Sequence, residues 1–341
     1  MELKQQIEEL CTAAGAGGLM EAAETAANWL RPLVDRVTVD PLGNVLGFRA
    51  SARSEAPTVL LEAHIDEIGF VVTHIDAQGF VYVAPCGGVD NRTLAAAEVI
   101  IWTESPVYGV FGSVPPHLSE DEQKLPDILS RGIDVGMTEE EAKERIPLGT
   151  RVTFAPDFAV LHGTRVSSKA LDDRAGVAAV LIALRCVKGE DLPVHVAVAF
   201  AVQEELGCRG SMVAAFSTQP TAAIATDVSF AYTPDANRSK CGDLGKGPML
   251  GWAPSLDYRM TCALENLAQQ EGIPLQHEVM GGDTGTDADS ISGARSGVPT
   301  ALLSIPLRYM HTPVEVVDLQ DVEAVGRLMA SFLLHGEEVV R

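Results

Sequence analysis

Leu61-Glu62-Ala63-His64-Ile65-Asp66-Glu67-Ile68-Gly69-Phe70 places a histidine and two carboxylates where an apolar run stops. Val59 to Leu61 reads as a buried strand, and a cluster of uncompensated charge at the end of such a strand is costly. His64 and Asp66 lie two residues apart, so on an extended chain they share a face. That suits a metal-binding histidine whose second ring nitrogen is oriented by a carboxylate, or an aspartate that shapes the site. An ordinary polar loop at a strand end gives the same short pattern.

Similar events recur downstream. Val194 to Val202 is apolar apart from His195 and runs into Gln203-Glu204-Glu205; Ala222 to Thr226 ends in Asp227. Thr300 to Ile305 is followed by Arg308, Tyr309 and His311, and Lys169-Ala170-Leu171-Asp172-Asp173-Arg174 precedes a strong helical pattern. Apolar strands that deliver such residues at their ends describe the carboxyl edge of an open α/β sheet, where these folds place their sites.

At 341 residues the chain predicts one large domain or a domain with an insertion. Hydrophobic residues make up 46 % but aromatic ones only 5 %, which favours an α/β core packed with Ala, Val and Leu. The net charge of −22 argues against nucleic acid and anionic membranes as partners, because phosphate binding needs clustered Lys and Arg. The charged, helix-periodic start Met1-Glu2-Leu3-Lys4 is unlike a secretory signal, and no apolar run approaches a membrane span of roughly 18 residues. Six scattered cysteines without Cys-x-x-Cys spacing read as reduced thiols of a cytoplasmic protein; Cys208, near Glu205, reads as packing.

Residues 2 to 35 read as two helices around Gly15 to Gly18, and Val37 to Phe48 as a hairpin turning at Pro41-Leu42-Gly43-Asn44. Thr58 to Ala63 is the first central strand. The texture changes near residue 70. Phe70 to Val83, Glu98 to Thr103, Gly109 to Val114 and Arg151 to Phe154 are short β-like pieces, with a charged segment, Ser119 to Ile146, among them. They predict a small barrel or sandwich at 70–162, inserted between 1–69 and 163–341 of an α/β domain. The α/β texture then resumes with helices over Asp173 to Val187, near 211 to 216, over Ser255 to Gln270 and over Asp318 to Leu334, the last with Asp318 as N-cap.

The candidate ligands are His64, Asp172, Glu205, Asp227 and His311. Two histidines and three carboxylates form a hard-to-borderline donor set that suits Zn²⁺, Co²⁺ or Mn²⁺. They suit a metal pair with one bridging carboxylate better than a single ion, and such a pair makes a reactive water available. Glu204 is then free to act as general base. Neighbours in a strand face apart, so both glutamates reach one site only where the strand ends, and Leu206-Gly207 supplies that turn. Each piece also has an ordinary reading. Asp172 and Asp173 fit a helix N-cap with first-turn charges, Glu204 and Glu205 a solvated strand end, Asp227 an Asx turn, and His311 a loop. His74, His162, His195, His277 and His335 read as structural or surface residues, and His117 does so with less contrast.

Together the motifs resemble the dinuclear-metal glutamyl aminopeptidase family, which includes the tetrahedral (TET) aminopeptidases. The resemblance covers nearly the whole chain. Its anchors are His64 to Phe70, Lys169 to Arg174, Val202 to Gly210, Gly245-Lys246-Gly247-Pro248, Thr286-Asp287-Ala288, Arg295 to Thr300 and Ile305 to Pro313. It implies a mixed-sheet α/β metallo-exopeptidase with helices on both faces and an inserted β domain serving oligomerisation or substrate access. His64 and Asp227 would each bind one end of a metal pair, Asp172 would bridge it, and Glu205 and His311 would complete it. Glu204 would be the base and Asp66 would support His64. Two divalent ions per chain, short peptide substrates and a homo-oligomer, commonly a dodecamer, are implied with them, as is a cis bond between Asp172 and Asp173. Relatives carry a different glycine-rich run where this chain has Met280-Gly281-Gly282-Asp283-Thr284-Gly285, which leaves residue preference open.

Three rivals remain at this stage, one of them a non-enzymatic assembly protein, which gives no reason for the strand-end carboxylates. A two-metal amidohydrolase or carboxypeptidase would need a cationic clamp for a carboxylate, for which Arg259, Arg295 and Arg308 are candidates. A glycosidase would pair Glu204 with Glu205 or Asp227.

Overall fold

A computed structural model describes residues 2–115, 117 and 127–340. Part of the expected charged segment, 119–126, lies outside the described residues.

The strands are β1 (Arg36–Val39), β2 (Val45–Arg49), β3 (Thr58–His64), β4 (Gly69–Ile75), β5 (Val81–Cys86), β6 (Glu98–Ile101), β7 (Val107–Phe111), β8 (Gly132–Asp134) and β9 (Arg151–Phe154). They continue with β10 (Ala159–Val160), β11 (Arg165–Ser168), β12 (His195–Ala201), β13 (Ala222–Phe230), β14 (Met249–Trp252), β15 (Gln276–Val279), β16 (Thr300–Arg308) and β17 (Glu315–Asp318). The helices are α1 (Glu2–Thr12), α2 (Glu21–Leu30), α3 (Glu139–Arg145), α4 (Leu171–Cys186), α5 (Arg209–Thr218), α6 (Tyr258–Glu271), α7 (Asp287–Ser292), α8 (Leu319–His335) and α9 (Glu337–Val340).

Eleven strands form one mixed sheet. Its main path is β1-β2-β12-β3-β13-β16-β17-β11-β10, with β14 and β15 attached beside β16. The centre is parallel: β12 and β13 both pair with β3, and β13 pairs with β16. Parallel strands are buried on both faces, which explains their continuous apolar runs. Alternation along the strands sends Val59, Leu61 and Ala63 into one large core with α4 and α8. Leu60, Ala197, Ala199, Ala223 and Ala225 pack on the other face with α5 and α7. Small residues dominate there, so the helices approach the sheet closely.

The remaining strands close a barrel in the order β4-β5-β8-β7-β6-β9, shut by pairing of Phe70 with Val152. It has its own core, in which Phe70 meets Phe111 and Phe154 edge-on at centroid distances of 5.2 and 5.4 Å. Such pairs add to area burial. Thr138 caps α3 through a reciprocal capping box with Glu141. After the barrel, Ala159–Val160 pairs with β11 and so joins the edge of the large sheet.

Several element boundaries differ from expectation at their functional ends. β13 runs on to Phe230 and β16 to Arg308, past Asp227 and Pro306, because the two stay paired as far as Leu307 and β17 then pairs with Arg308. Asp318 is the N-cap of α8, accepting from the Gln320 N–H.

Candidate metal centre

The parallel strands end at a common edge, and the polar residues beyond them converge. His64 is the last residue of β3 and only 2 % of its side chain is exposed. Its Nε2 lies 2.9 Å from Asp172 Oδ1 and 3.8 Å from Asp227 Oδ1. Its Nδ1 lies 3.6 Å from Asp66 Oδ1. Asp227, within β13, sits one strand over and accepts the Val228 N–H. His311 occupies a loop after β16, with Nε2 3.4 Å from Asp172 Oδ2 and 3.1 Å from Glu205 Oε1. One oxygen of Asp172 thus faces each imidazole. Two triads, His64-Asp172-Asp227 and Asp172-Glu205-His311, each gather their donor atoms within 4.8 Å and share Asp172.

The local backbone explains how these side chains arrive. Ala170 is left-handed (φ 57°), Asp172 and Asp173 have non-helical angles, and the bond between them is cis. The Asp172 N–H donates to Glu315 Oε2 at 3.1 Å, and Asp173 Oδ1 accepts the Gly176 N–H, fixing the start of α4. After β12 the chain turns sharply. Gln203 and Cys208 have positive φ, and the Gly207 and Cys208 N–H groups donate to the Glu204 carbonyl. The turn at Gly207 that the sequence implied is therefore present, and it lets two adjacent glutamates face one cavity. Asp66 holds this turn by accepting from the Glu204 and Glu205 N–H groups at 3.0 and 3.3 Å. Its part is thus wider than a contact with His64.

A loop after β5 completes the wall. The His311 Nδ1–H donates to the Gly88 carbonyl at 3.0 Å, so that in the neutral ring the lone pair on Nε2 faces the acids, where a metal would sit. A Cβ on Gly88 would fall 2.9 Å from that Nδ1, and one on Gly87 3.0 Å from Glu205 Oε2. Gly87, left-handed at φ 83°, therefore favours glycine, while a side chain at Gly88 would press on the His311 ring.

The electrostatics show a large excess of negative charge. Burial pulls both imidazoles down, but neighbouring carboxylates outweigh it. His64 is raised by Asp172 and Asp66, and His311 is pushed up to about 11 by Asp172 and Glu205. Burial raises Asp227, helped by the charge of Asp172. Burial also pushes Asp172 up, yet hydrogen bonds from His311 and His64 hold it well below the usual carboxylate range. Glu204 is pushed up to about 7, chiefly by burial and, despite His64, by the charges of Asp287 and Glu205. The chemistry of the donor set fits divalent cations: two imidazole nitrogens and three carboxylates converge, and no Lys or Arg is among the described residues lining the cavity.

Sequence reasoning missed the layer behind this. Glu67 and Lys169 form a fully buried ion pair at 2.8 Å, and Glu67 also accepts the Gly15 N–H. Glu62 is wholly buried, and burial together with the adjacent Asp287 raises its pKa well above the usual range. Asp287 accepts from Ser211 Oγ at 2.5 Å. Glu62 had a readable signal, since it shares a strand face with His64. Glu315, which accepts from both the Asp172 and His311 N–H groups, had none. Cys208 does more than pack: its Sγ donates to Glu204 Oε1 at 3.4 Å. The proposed clamp does not assemble. Arg259 pairs with Asp257, Arg308 donates to the Tyr232 carbonyl, and Arg295 lines a separate surface hollow. His117 is exposed, and His195 accepts the Ser51 N–H in a structural contact.

A converging set of imidazoles and carboxylates at the carboxyl edge of the parallel strands suits a metal-dependent hydrolase. The model of the M42 glutamyl aminopeptidase family matches residues 43–328, and the chain belongs to that family. The lysyl aminopeptidase of Pyrococcus furiosus is 38 % identical over 310 residues, covering 89 % of this chain and 88 % of the relative. Among solved structures, the aminopeptidase APDkam598 of Desulfurococcus kamchatkensis is similar with a TM-score of 0.93 at 33 % identity, covering 100 % of this chain and 97 % of its own. The TET1 peptidase of Pyrococcus horikoshii, which can assemble into a tetrahedron or a large octahedral shell, is 30 % identical with a TM-score of 0.86, covering 98 % and 99 %. The chain is accordingly a peptidase, a metal-dependent aminopeptidase.

Proposed function

We propose that the protein removes N-terminal residues from short peptides with two divalent ions, one held by His64, Asp172 and Asp227 and the other by Asp172, Glu205 and His311. The observation that carries this reading is the sharing of Asp172 between two donor triads, one carboxylate oxygen toward each imidazole. When bound, such a pair supplies Lewis acidity toward the scissile carbonyl and a nucleophilic water at neutral pH. Zinc or cobalt suits the two imidazoles best, and manganese the carboxylates.

The chain's own residues do the rest. Glu204 stands beside both triads without being needed in either. Its carboxylate takes the proton of the attacking water and returns it to the leaving amine. In the metal-free site burial raises its carboxyl above the usual range, as suits a group that must hold a proton in transit. Asp66 keeps Glu204 and Glu205 in register through their backbone N–H groups. The Gly88 carbonyl fixes the tautomer of His311. The surplus carboxylates around the site attract the substrate's α-ammonium.

The absence of an arginine from the described walls of the cavity argues against the carboxypeptidase and deacylase readings, which need a cation for a terminal carboxylate. Convergence of two histidines on the acids argues against a glycosidase, which needs only an acid pair flanking the sugar.

Residues 70–162 serve in this reading as an inserted module for assembly and substrate access, with the barrel as its body. Its loop at Gly87 and Gly88 already forms part of the site wall. The similarity to a shell-forming peptidase supports a homo-oligomer, and a tetrahedral shell of single chains is a dodecamer. The six free cysteines support a cytoplasmic location.

The test is metal removal and return. Chelation abolishes hydrolysis of unblocked aminoacyl amides, zinc or cobalt restores it, and N-acetylated counterparts stay uncleaved. Equal cleavage of blocked substrates contradicts the reading.

A further inference from the structure

The site opens into a cavity of about 540 Å3. Of its described lining, Asp172, Glu204, Glu205, Asp227 and His311 are spoken for by the chemistry above, which leaves one further carboxylate, Glu278. No Lys or Arg is among the described residues lining it.

Glu278 is carried on β15, beside β14 (Gly251 opposite Glu278), and is half-buried. Two hydroxyls hold it. Ser229 Oγ donates to Oε1, and Ser304 Oγ donates to Oε2 at 3.2 Å. These serines are only 5 % and 1 % exposed, so they form part of the sheet rather than of a mobile rim. Glu278 makes no ion pair with any described Lys or Arg. A carboxylate fixed in this way in a partly dry cavity gains from an incoming cation.

Its position decides what that cation is. Asp227 and Ser229 are two residues apart on β13 and share a face, roughly 6.6 Å along the strand. Ser304, the other donor, stands opposite Asp227 in the register of β13 and β16. The substrate's α-ammonium is attached directly to the Cα next to the scissile carbonyl, so it lies against the metal-binding carboxylates. Glu278 is bonded to Ser229, one two-residue repeat (roughly 6.6 Å) beyond Asp227, and that spacing is comparable with the reach of an extended basic side chain. Phe230, which is exposed, lines the cavity as well and offers apolar surface to the aliphatic stem of such a chain.

We infer that Glu278 is a specificity-determining residue that selects peptides with Lys or Arg at the N-terminus, receiving the cation of that side chain at the end of the cavity past Asp227. The inference rests on the aminopeptidase reading. An acidic first residue is rejected by the same charge, and the cavity offers it no described Lys or Arg in exchange.

The experiment compares kcat/KM of the metal-reconstituted enzyme for Lys-, Arg-, Leu- and Glu-p-nitroanilide, in the wild type and in Glu278→Gln. The wild type is expected to favour Lys and Arg over Leu by roughly ten- to hundredfold, the range of a charge-assisted hydrogen bond, with Glu last. Glu278→Gln is expected to collapse the Lys-to-Leu ratio toward unity. An equal loss on Lys and Leu assigns Glu278 to the α-ammonium and overturns the proposal. A wild type that prefers Leu or Glu overturns it too, whether or not the variant folds. A wild type inactive on all four free-amine substrates, with metal bound, instead brings down the aminopeptidase reading beneath it.

Discussion

The two ends of the Asp172 carboxylate face very different surroundings. At the His64 end the donors sit on parallel strands of the central sheet, and the imidazole is 2 % exposed. At the His311 end the imidazole is 30 % exposed, its residue has a left-handed backbone (φ 62°), and its orientation comes from a carbonyl on the barrel side. One end is built by the most constrained part of the fold and the other by loops that meet from distant segments. On the two-metal reading, an ion at the first end would be caged by the core, and one at the second, held by loops, is expected to exchange more readily.

The sharpest way to break this picture separates the two glutamates of the β12 turn. Glu204→Gln is expected to retain both ions and lose about 10²–10⁴-fold in kcat. Glu205→Gln is expected to lose the ion at the His311 end and keep the one at the His64 end, as read by elemental analysis after dialysis. A Glu204→Gln protein depleted in metal beside a fully loaded Glu205→Gln protein reverses the two roles.

A second effect concerns stability against pH. Glu204 has a folded pKa of about 7 against a reference of 4.5, and Asp227 and Glu315 are also raised, all chiefly by burial. An acid raised on folding contributes stability that is present below its unfolded pKa and lost as pH rises through the folded value. The imidazoles act in the same sense: the contribution of His311 is present below 6.5 and lost toward about 11. Asp172 is lowered, so its contribution disappears only as pH falls below 3.8. The Tm of the chelated protein is therefore expected to fall from about pH 5 to about pH 9, and added zinc to recover most of the loss at the alkaline end. A chelated protein that gains stability over that range contradicts the assignment.

The smallest expected effect is confined to one end. Gly88→Ala puts a Cβ 2.9 Å from His311 Nδ1. Disturbing such an orienting contact typically costs about 10–100-fold in metal affinity. That loss is expected at the His311 end alone, measured by competition with a chromophoric chelator. Equal weakening of both ions removes the contrast between the ends.

The same contrast governs what was legible in the sequence. His64, Glu204, Glu205 and Asp227 announced themselves because each interrupts or follows an apolar strand, and strand ends converge in a parallel sheet. The existence of a small β unit was legible from its short strands, but the order β4-β5-β8-β7-β6-β9 was not, since no local pattern encodes which strands pair. Gly88 and His311 are 223 residues apart, and nothing near either one points to the other. Glu315 was hidden for the same reason, its partners being backbone N–H groups of Asp172 and His311. β13 and β16 were read too short because Asp227 and Pro306 look like endings, whereas the parallel ladder carries both strands past them.

Anomalous diffraction at the metal absorption edge, from crystals of the fully loaded enzyme, tests the central claim most directly. The account predicts two peaks per chain, one among His64, Asp172 and Asp227 and one among Asp172, Glu205 and His311, with a different oxygen of Asp172 toward each. A single peak, or two peaks of which Asp172 touches only one, would contradict it.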